Sequence, residues 1–302
     1  MCKSQGIKRV SDIDLPKYRI SLCKEHYSEW YRRRIQKTIK KYKMFSEDEK
    51  ILIAVSGGKD CFALWHSLVK LGYEVDGLFI NLGIEKTSEK ARNIILAFAK
   101  RLGRDVHIVE LKEELATIPS LRKIIRKPTC SICGTVKRYY MNKTARDLAY
   151  DVLTTGHNLD DEVSVLFGNI INWNIEFLKK QYPVLREGDG FVRKVKPLCK
   201  MSEEENRIYC EFNEIIYFKE PCPYSKQATS LKYKALLDQL ESEFAGKKLD
   251  FYSNFLKKMH PLLNQRIQKK EVGSCEICGE PCFSNKCSIC YIREKLGKSY
   301  SV

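Results

Sequence analysis

The chain has 302 residues, an ordinary apolar content of 43% and a formal net charge of +16, from 54 Lys and Arg against 38 Asp and Glu. That length and composition support a packed core with small appendages and exclude a disordered or collagen-like chain. No window reaches the roughly 18 uninterrupted apolar residues of a membrane span, and the opening MCKSQGIKRV lacks the apolar run of a secretory signal. A cytoplasmic protein with no membrane partner is expected. The basic balance points to a polyanion, since neutralised phosphates release counterions.

In chain order, residues 1–45 carry Cys2, Cys23 and His26, followed by the basic stretch YSEWYRRRIQKTIKKYKMF. Trp30, Tyr31, Ile35, Ile39 and Tyr42 recur near helical spacing, with Arg32, Arg33, Lys37, Lys40 and Lys41 on the other side. Such a helix either presents a solvated face or contacts phosphates. Residues 46–245 alternate between two periods. ILIAVS (51–56), YEVDGLFINLG (73–83), DVHIVEL (105–111) and DVLTTG (151–156) read as buried strands. Helices are expected over 60–71, 88–103, near 134–150 and after Leu159. Strand–helix alternation with continuous apolar strands means a doubly wound parallel α/β sheet, with ligands beyond the carboxyl ends of the strands. Residues 246–302 read as a basic helical connector and a Cys-rich module.

Two loops sit at such strand ends. The first, Ser56-Gly57-Gly58-Lys59-Asp60, lets the backbone approach an anion and points helix-start N–H groups outward. It is not a Walker A loop, because G-x-x-x-x-G-K-[ST] is absent. The second, Gly156-His157-Asn158-Leu159-Asp160-Asp161, offers adjacent carboxylates that suit a magnesium ion between phosphates or, more plainly, an N-cap.

S-G-G-K-D directly after an apolar strand resembles the PP-loop of the N-type ATP pyrophosphatases, a fold of the adenine nucleotide alpha hydrolase type. With GHN-x-D-D it resembles most the TtcA/TtuA-type tRNA 2-thiolation enzymes, over essentially the whole chain. The final loop position is Cys61 where that family has Ser or Thr. The resemblance implies ATP binding by Ala54, Val55, Ser56, Gly57, Gly58, Lys59, Asp60, Ile80, Lys137, Gly156 and Asp161. It implies magnesium near Asp60 and Asp161, and catalytic roles for Asp60, Lys137 and Asp161.

The 13 cysteines of a cytosolic chain argue for metal rather than disulfides. Cys130 and Cys133 form one C-x-x-C, with Lys137 one helical turn on. Cys222, in KEPCPYS, is a natural third member. Three thiolates suit a 4Fe-4S cluster with one open iron, but a persulfide pair or a zinc site with another ligand also fits. The resemblance assigns the cluster to these three residues. Cys275, Cys278, Cys287 and Cys290 form two knuckles of a zinc ribbon, with Cys282 a spectator between them. The resemblance implies a further zinc set of C-x-x-C and C-x-x-H at the N-terminus, of which Cys2, Cys23 and His26 remain here, because Gln5 breaks the first half.

The resemblance implies that ATP adenylates the C2 oxygen of a tRNA uridine and that sulfur replaces it. The donor would be sulfide or a thiocarboxylated ubiquitin-like protein, and the protein a homodimer. Rival readings are another PP-loop adenylating enzyme, a non-catalytic zinc and RNA-binding protein, and a desulfidase that needs no ATP.

Overall fold

A computed structural model of the chain describes residues 2–4, 7–224, 229–264 and 272–297. The strands of its central sheet are β1 (Ile51–Val55), β2 (Val75–Asn81), β3 (Val106–Glu110), β4 (Val152–Thr155), β5 (Val184–Leu185) and β6 (Arg193–Val195). They lie in the order β3-β2-β1-β4-β6-β5, all parallel except the β5 edge, which is antiparallel to β6. The chain walks outward from β1 to β3, then returns to place β4 on the other side of β1. The strand order therefore reverses between β1 and β4, where such sheets open a crevice at their carboxyl ends.

Alternation along β1 explains why both faces are covered. Ile51, Ile53 and Val55 join the core beneath helix α2 (Lys59–Lys70), whose Phe62, Leu64, Trp65 and Leu68 are fully buried. Leu52 points the other way, into a second core with Ile132, Val136 and Tyr140. Those three belong to α4 (Thr129–Asp147) and stand at i, i+4 and i+8, one stripe of a helix. This helix begins earlier than the sequence reading placed it. Its start at Thr129 brings Cys130 and Cys133 into the first turns. Helix α3 (Glu85–Leu102) ends at Gly103, as expected.

The basic N-terminal stretch forms α1 (Lys24–Tyr42), which buries Tyr27, Tyr31, Ile35 and Ile39. Arg33, Lys37, Lys40 and Lys41 are exposed; Arg32 is half-buried and reaches Tyr209. The buried stripe packs on α6 (Glu203–Phe212), which comes after α5 (Leu159–Ile171) in the chain. Helices α7 (Thr229–Glu243) and α8 (Lys247–Asn254) lie against α5. The first part of the connector read from the sequence is thus packed on the sheet layer, with Tyr252 fully buried and its hydroxyl on Glu162.

The Cys-rich module packs its helix α9 (Ser288–Lys295) on α4. Arg146 of α4 holds the buried Glu280 through its guanidinium, with one contact of 2.9 Å. No helix among the described residues is long and apolar enough to cross a membrane.

Candidate active site

The first loop turns where β1 ends. Gly57 has φ of +82°, a left-handed conformation that glycine adopts without strain, and its carbonyl accepts from Phe218 N at 2.8 Å. Gly58 is the N-cap of α2, and no side chain caps that first turn. The unsatisfied N–H groups there add to the positive end of the helix dipole, an arrangement that receives anions. They border a cavity of about 530 Å³. The Cys61 thiol donates to the Gly58 carbonyl at 3.0 Å and lies 3.8 Å from Ser56 Oγ. A hydroxyl there would make the same bond, so the departure from Ser or Thr leaves the loop closed in the same way.

The second loop packs directly on the first. A Cβ on Gly156 would stand 2.8 Å from Cys61 N and 2.9 Å from Cys61 Cα, both backbone atoms. Only glycine permits this approach. Asn158 then caps α5 in a reciprocal capping box with Asp161, each side chain meeting the other's backbone N–H. Its amide nitrogen is left to donate to Asp60 Oδ1 at 3.1 Å. His157 Nδ1 sits 2.8 Å from Thr155 Oγ1, and burial lowers its pKa.

Of the residues expected at the nucleotide, Ala54, Val55, Ser56, Gly58, Asp60, Ile80, Lys137, Gly156 and Asp161 line the cavity. Gly57 and Lys59 do not. Lys59 turns to the far side of the loop and pairs with Glu203 at 2.6 Å. Burial pushes the Asp60 carboxyl above its ordinary range; Lys59, Asn206 and Asn158 oppose this, and the charge of Asp161 adds to it. Asp161 is held by Lys234 at 2.6 Å. Burial works against the charge of Lys234, yet Asp161 and Glu203 together raise its pKa. The neighbouring Asp160 is consumed by structure, accepting from Lys248 and from Glu203 N. Three carboxylates line the cavity: Glu220 is paired with Lys90 at 2.6 Å, and Asp60 and Asp161 stand at the two loops as a hard oxygen set that fits magnesium.

Across the cavity stand Cys133, Lys137 and Cys222. Cys130 lies beside them, its sulfur 3.8 Å from the carbonyl of Tyr224. Burial raises the Cys133 pKa; Lys137 lowers it, while Cys222 and Cys130 raise it further. The ligand atoms of Cys130, Cys133 and Cys222 are not all within 4.8 Å of one another; as a donor set, three thiols beside a cavity fit an iron–sulfur centre by their chemistry. Lys137 has no carboxylate within ion-pair distance among the described residues, unlike Lys59 and Lys234.

The ribbon cysteines are drawn closer. Among the described residues, the ligand atoms of Cys275, Cys278, Cys287 and Cys290 all lie within 4.8 Å of one another, which fits a tetrahedral zinc site. The Cys282 thiol donates to the Ser284 carbonyl instead. At the N-terminus Cys23 Sγ lies 3.1 Å from His26 Nδ1, while the Cys2 side chain and Gln5 lie outside the described residues.

Sequence reasoning missed Glu203, Asn206 and Lys234, and read Asn158 only within the second loop, where an N-cap was one alternative. Ser202-x-x-Glu205 is a capping-box signature and marks the start of α6, though not its place beside Asp60. Nothing local signals Lys234.

A PP-loop domain model matches residues 28–229 of the chain. The tRNA-5-methyluridine(54) 2-sulfurtransferase of Thermotoga maritima is 44% identical, covering 96% of this chain and 95% of its own. The enzyme of the same name from Pyrococcus horikoshii is 42% identical, covering 96% and 92%. Among solved structures, the U34-tRNA thiolase NcsA from Methanococcus maripaludis, with its 4Fe-4S cluster, is similar at a TM-score of 0.82 and 27% identity, covering 99% of this chain and 98% of that one. With the two-loop cavity, the ribbon and the thiols beside Lys137, these likenesses place the chain in the PP-loop family, in the branch of the tRNA 2-thiolation sulfurtransferases.

Proposed function

We propose that the protein is an ATP-dependent tRNA uridine 2-sulfurtransferase whose target is 5-methyluridine 54 of the T-loop. The observation that carries this reading is one cavity with two unlike walls. An uncapped helix start with Asp60 and Asp161 forms one wall, and Lys137 with Cys133 and Cys222 forms the other. The names of the more similar relatives support the choice of position. Those named for position 54 are 44% and 42% identical, against 27% for the U34 thiolase.

ATP would lie across the carboxyl ends of β1 and β4 with its β- and γ-phosphates at the start of α2. Magnesium, when bound, offsets phosphate charge, and Asp60 and Asp161 are the residues that would hold it. The C2 oxygen of the uridine attacks the α-phosphorus, and pyrophosphate departs toward the α2 N-terminus. Lys137 stabilises the charge that builds on the phosphate oxygens. Sulfur then adds at C2, and AMP leaves with the former C2 oxygen. A 4Fe-4S cluster on Cys130, Cys133 and Cys222 would supply an open iron that holds sulfur as the nucleophile. Cys130 and Cys222 are exposed at this mouth, so either free sulfide or a thiocarboxylated ubiquitin-like protein has access.

The exposed Arg33, Lys37, Lys40 and Lys41 of α1 and the net charge of +16 suit a tRNA partner. The zinc ribbon is a second contact for the RNA, and the cytoplasm supplies both substrates. Trp173 and Phe177, 74% and 65% exposed, with the exposed Leu236 of α7 and Phe244 just past its end, are apolar surface that suits a homodimer.

Protein handled under argon and given ATP, magnesium, sulfide and unmodified tRNA should produce 2-thiolated uridine. Nuclease digestion and mass spectrometry should place it in the T-loop fragment. Sulfur in the anticodon fragment would refute the position. An intact cluster with no thiolated uridine anywhere would refute the activity.

A further inference from the structure

The first-loop residue Asp60 is held by one amide of the second loop and by one, Asn206, that lies in neither loop. Its Oδ1 accepts two amide hydrogen bonds, from Asn158 Nδ2 at 3.1 Å and from Asn206 Nδ2 at 2.7 Å. Asn206 is 0% exposed, so water cannot substitute for either end of its amide. Its Oδ1 accepts from the hydroxyl of Tyr31 at 2.6 Å, and Tyr31 is 0% exposed as well. The Asp60 carboxylate, which only accepts, sets which end of the amide faces it, and the Tyr31 hydroxyl holds that orientation by donating to the amide oxygen. The flipped form would set a carbonyl oxygen against the Asp60 carboxylate and leave a buried N–H₂ facing the phenol. The Tyr31 ring is itself fixed, stacked on Tyr209 with centroids 4.1 Å apart. Asn158 is fixed from its other end too, because its Oδ1 caps α5.

We propose that Asn206, held in orientation by Tyr31, is a positioning residue that locks the Asp60 carboxylate for the metal–nucleotide complex in the cavity. Two amides converge on Oδ1 and stop the carboxylate from rotating. Oδ2 is the oxygen no amide holds, with Lys59 Nζ 3.5 Å away. A carboxylate preset in this way loses little freedom when a cation and phosphates arrive. The same chain of contacts ties the basic helix α1 to the nucleotide loop: Tyr31 to Asn206, then Asn206 to Asp60. This inference rests on the reading of the cavity as an ATP site, and it does not depend on the sulfur chemistry or on which uridine is modified.

The test measures binding rather than turnover. Mn²⁺, as a paramagnetic stand-in for Mg²⁺, is titrated into the full-length protein with a non-hydrolysable ATP analogue, without tRNA or sulfide. Asn206→Ala should weaken Mn²⁺ binding about tenfold, as loss of an outer-shell partner does. Tyr31→Phe keeps the stacked ring and removes only the hydroxyl. It should weaken binding about fivefold, and it keeps the test decisive if Asn206→Ala does not fold. In an Asp60→Asn background neither change should add further loss, whereas a general structural defect would add to it in full. Unchanged affinity in Tyr31→Phe, or full additivity with Asp60→Asn, overturns the inference. A wild-type protein that binds no Mn²⁺–nucleotide complex overturns the ATP reading, and the inference with it.

Discussion

Cys222→Ala protein is expected to fold, to keep its zinc, and to lose iron, labile sulfide and 2-thiouridine formation together. Cys222 is exposed, so its side chain contributes little to the core and the melting temperature should barely move. Its sulfur stands on the same cavity wall as Cys133 and Lys137, and Cys130 lies beside the carbonyl of Tyr224, two residues further on. A cluster on three thiolates has no spare protein ligand. The loss should therefore exceed the ~10–100-fold that removal of an outer-shell partner costs. Anaerobic iron, sulfide and zinc analysis of wild type and variant checks this. Iron retained in the variant would point to a cluster held elsewhere. A wild type with no iron but with thiolation would favour a persulfide on the Cys130 and Cys133 pair.

The second large effect is expected at Lys137. Its ammonium lines the cavity and meets no carboxylate among the described residues, so its charge is available to the phosphate oxygens. Lys59 and Lys234, by contrast, are bound to Glu203, and Lys234 also to Asp161. Removing one preorganised donor aimed at developing charge costs about 10²–10³ in rate. Lys137→Ala should lower AMP formation by that factor in single-turnover assays, with iron content unchanged. Arginine should restore little, since a planar fork does not fill the place of a compact ammonium. An unchanged rate would remove Lys137 from the mechanism.

Much of this architecture was legible in the sequence because it follows from periods of two and 3.6. Ile51, Ile53 and Val55 against Leu52 give the two covered faces of β1, and the loop glycines follow at the strand ends. Sequence reading also grouped Cys130, Cys133, Lys137 and Cys222; Cys133, Lys137 and Cys222 line the cavity, and Cys130 stands outside its lining, beside the carbonyl of Tyr224. The misplaced start of α4 has a local cause. Gly134 and the cysteine spacing hide the helical stripe of Ile132, Val136 and Tyr140. Lys59, which the resemblance puts at the nucleotide, is carried by the first turn of α2 to Glu203 and outside the cavity lining. Asn206 and Lys234 could not be placed, since Asp60 and Asp161, which they hold, lie more than 70 positions away in the chain. Only the packing of α6 and α7 against α2 and α5 brings them to Asp60 and Asp161.

The central claim is that the loop from Ser56 to Asp60 receives pyrophosphate as uridine is activated for sulfur. It is tested most directly by product stoichiometry under argon with sulfide as donor. One AMP and one pyrophosphate should appear for each 2-thiouridine, with no ADP, and no thiouridine without ATP. Thiouridine formed without ATP, or ADP and phosphate in place of AMP and pyrophosphate, would contradict it.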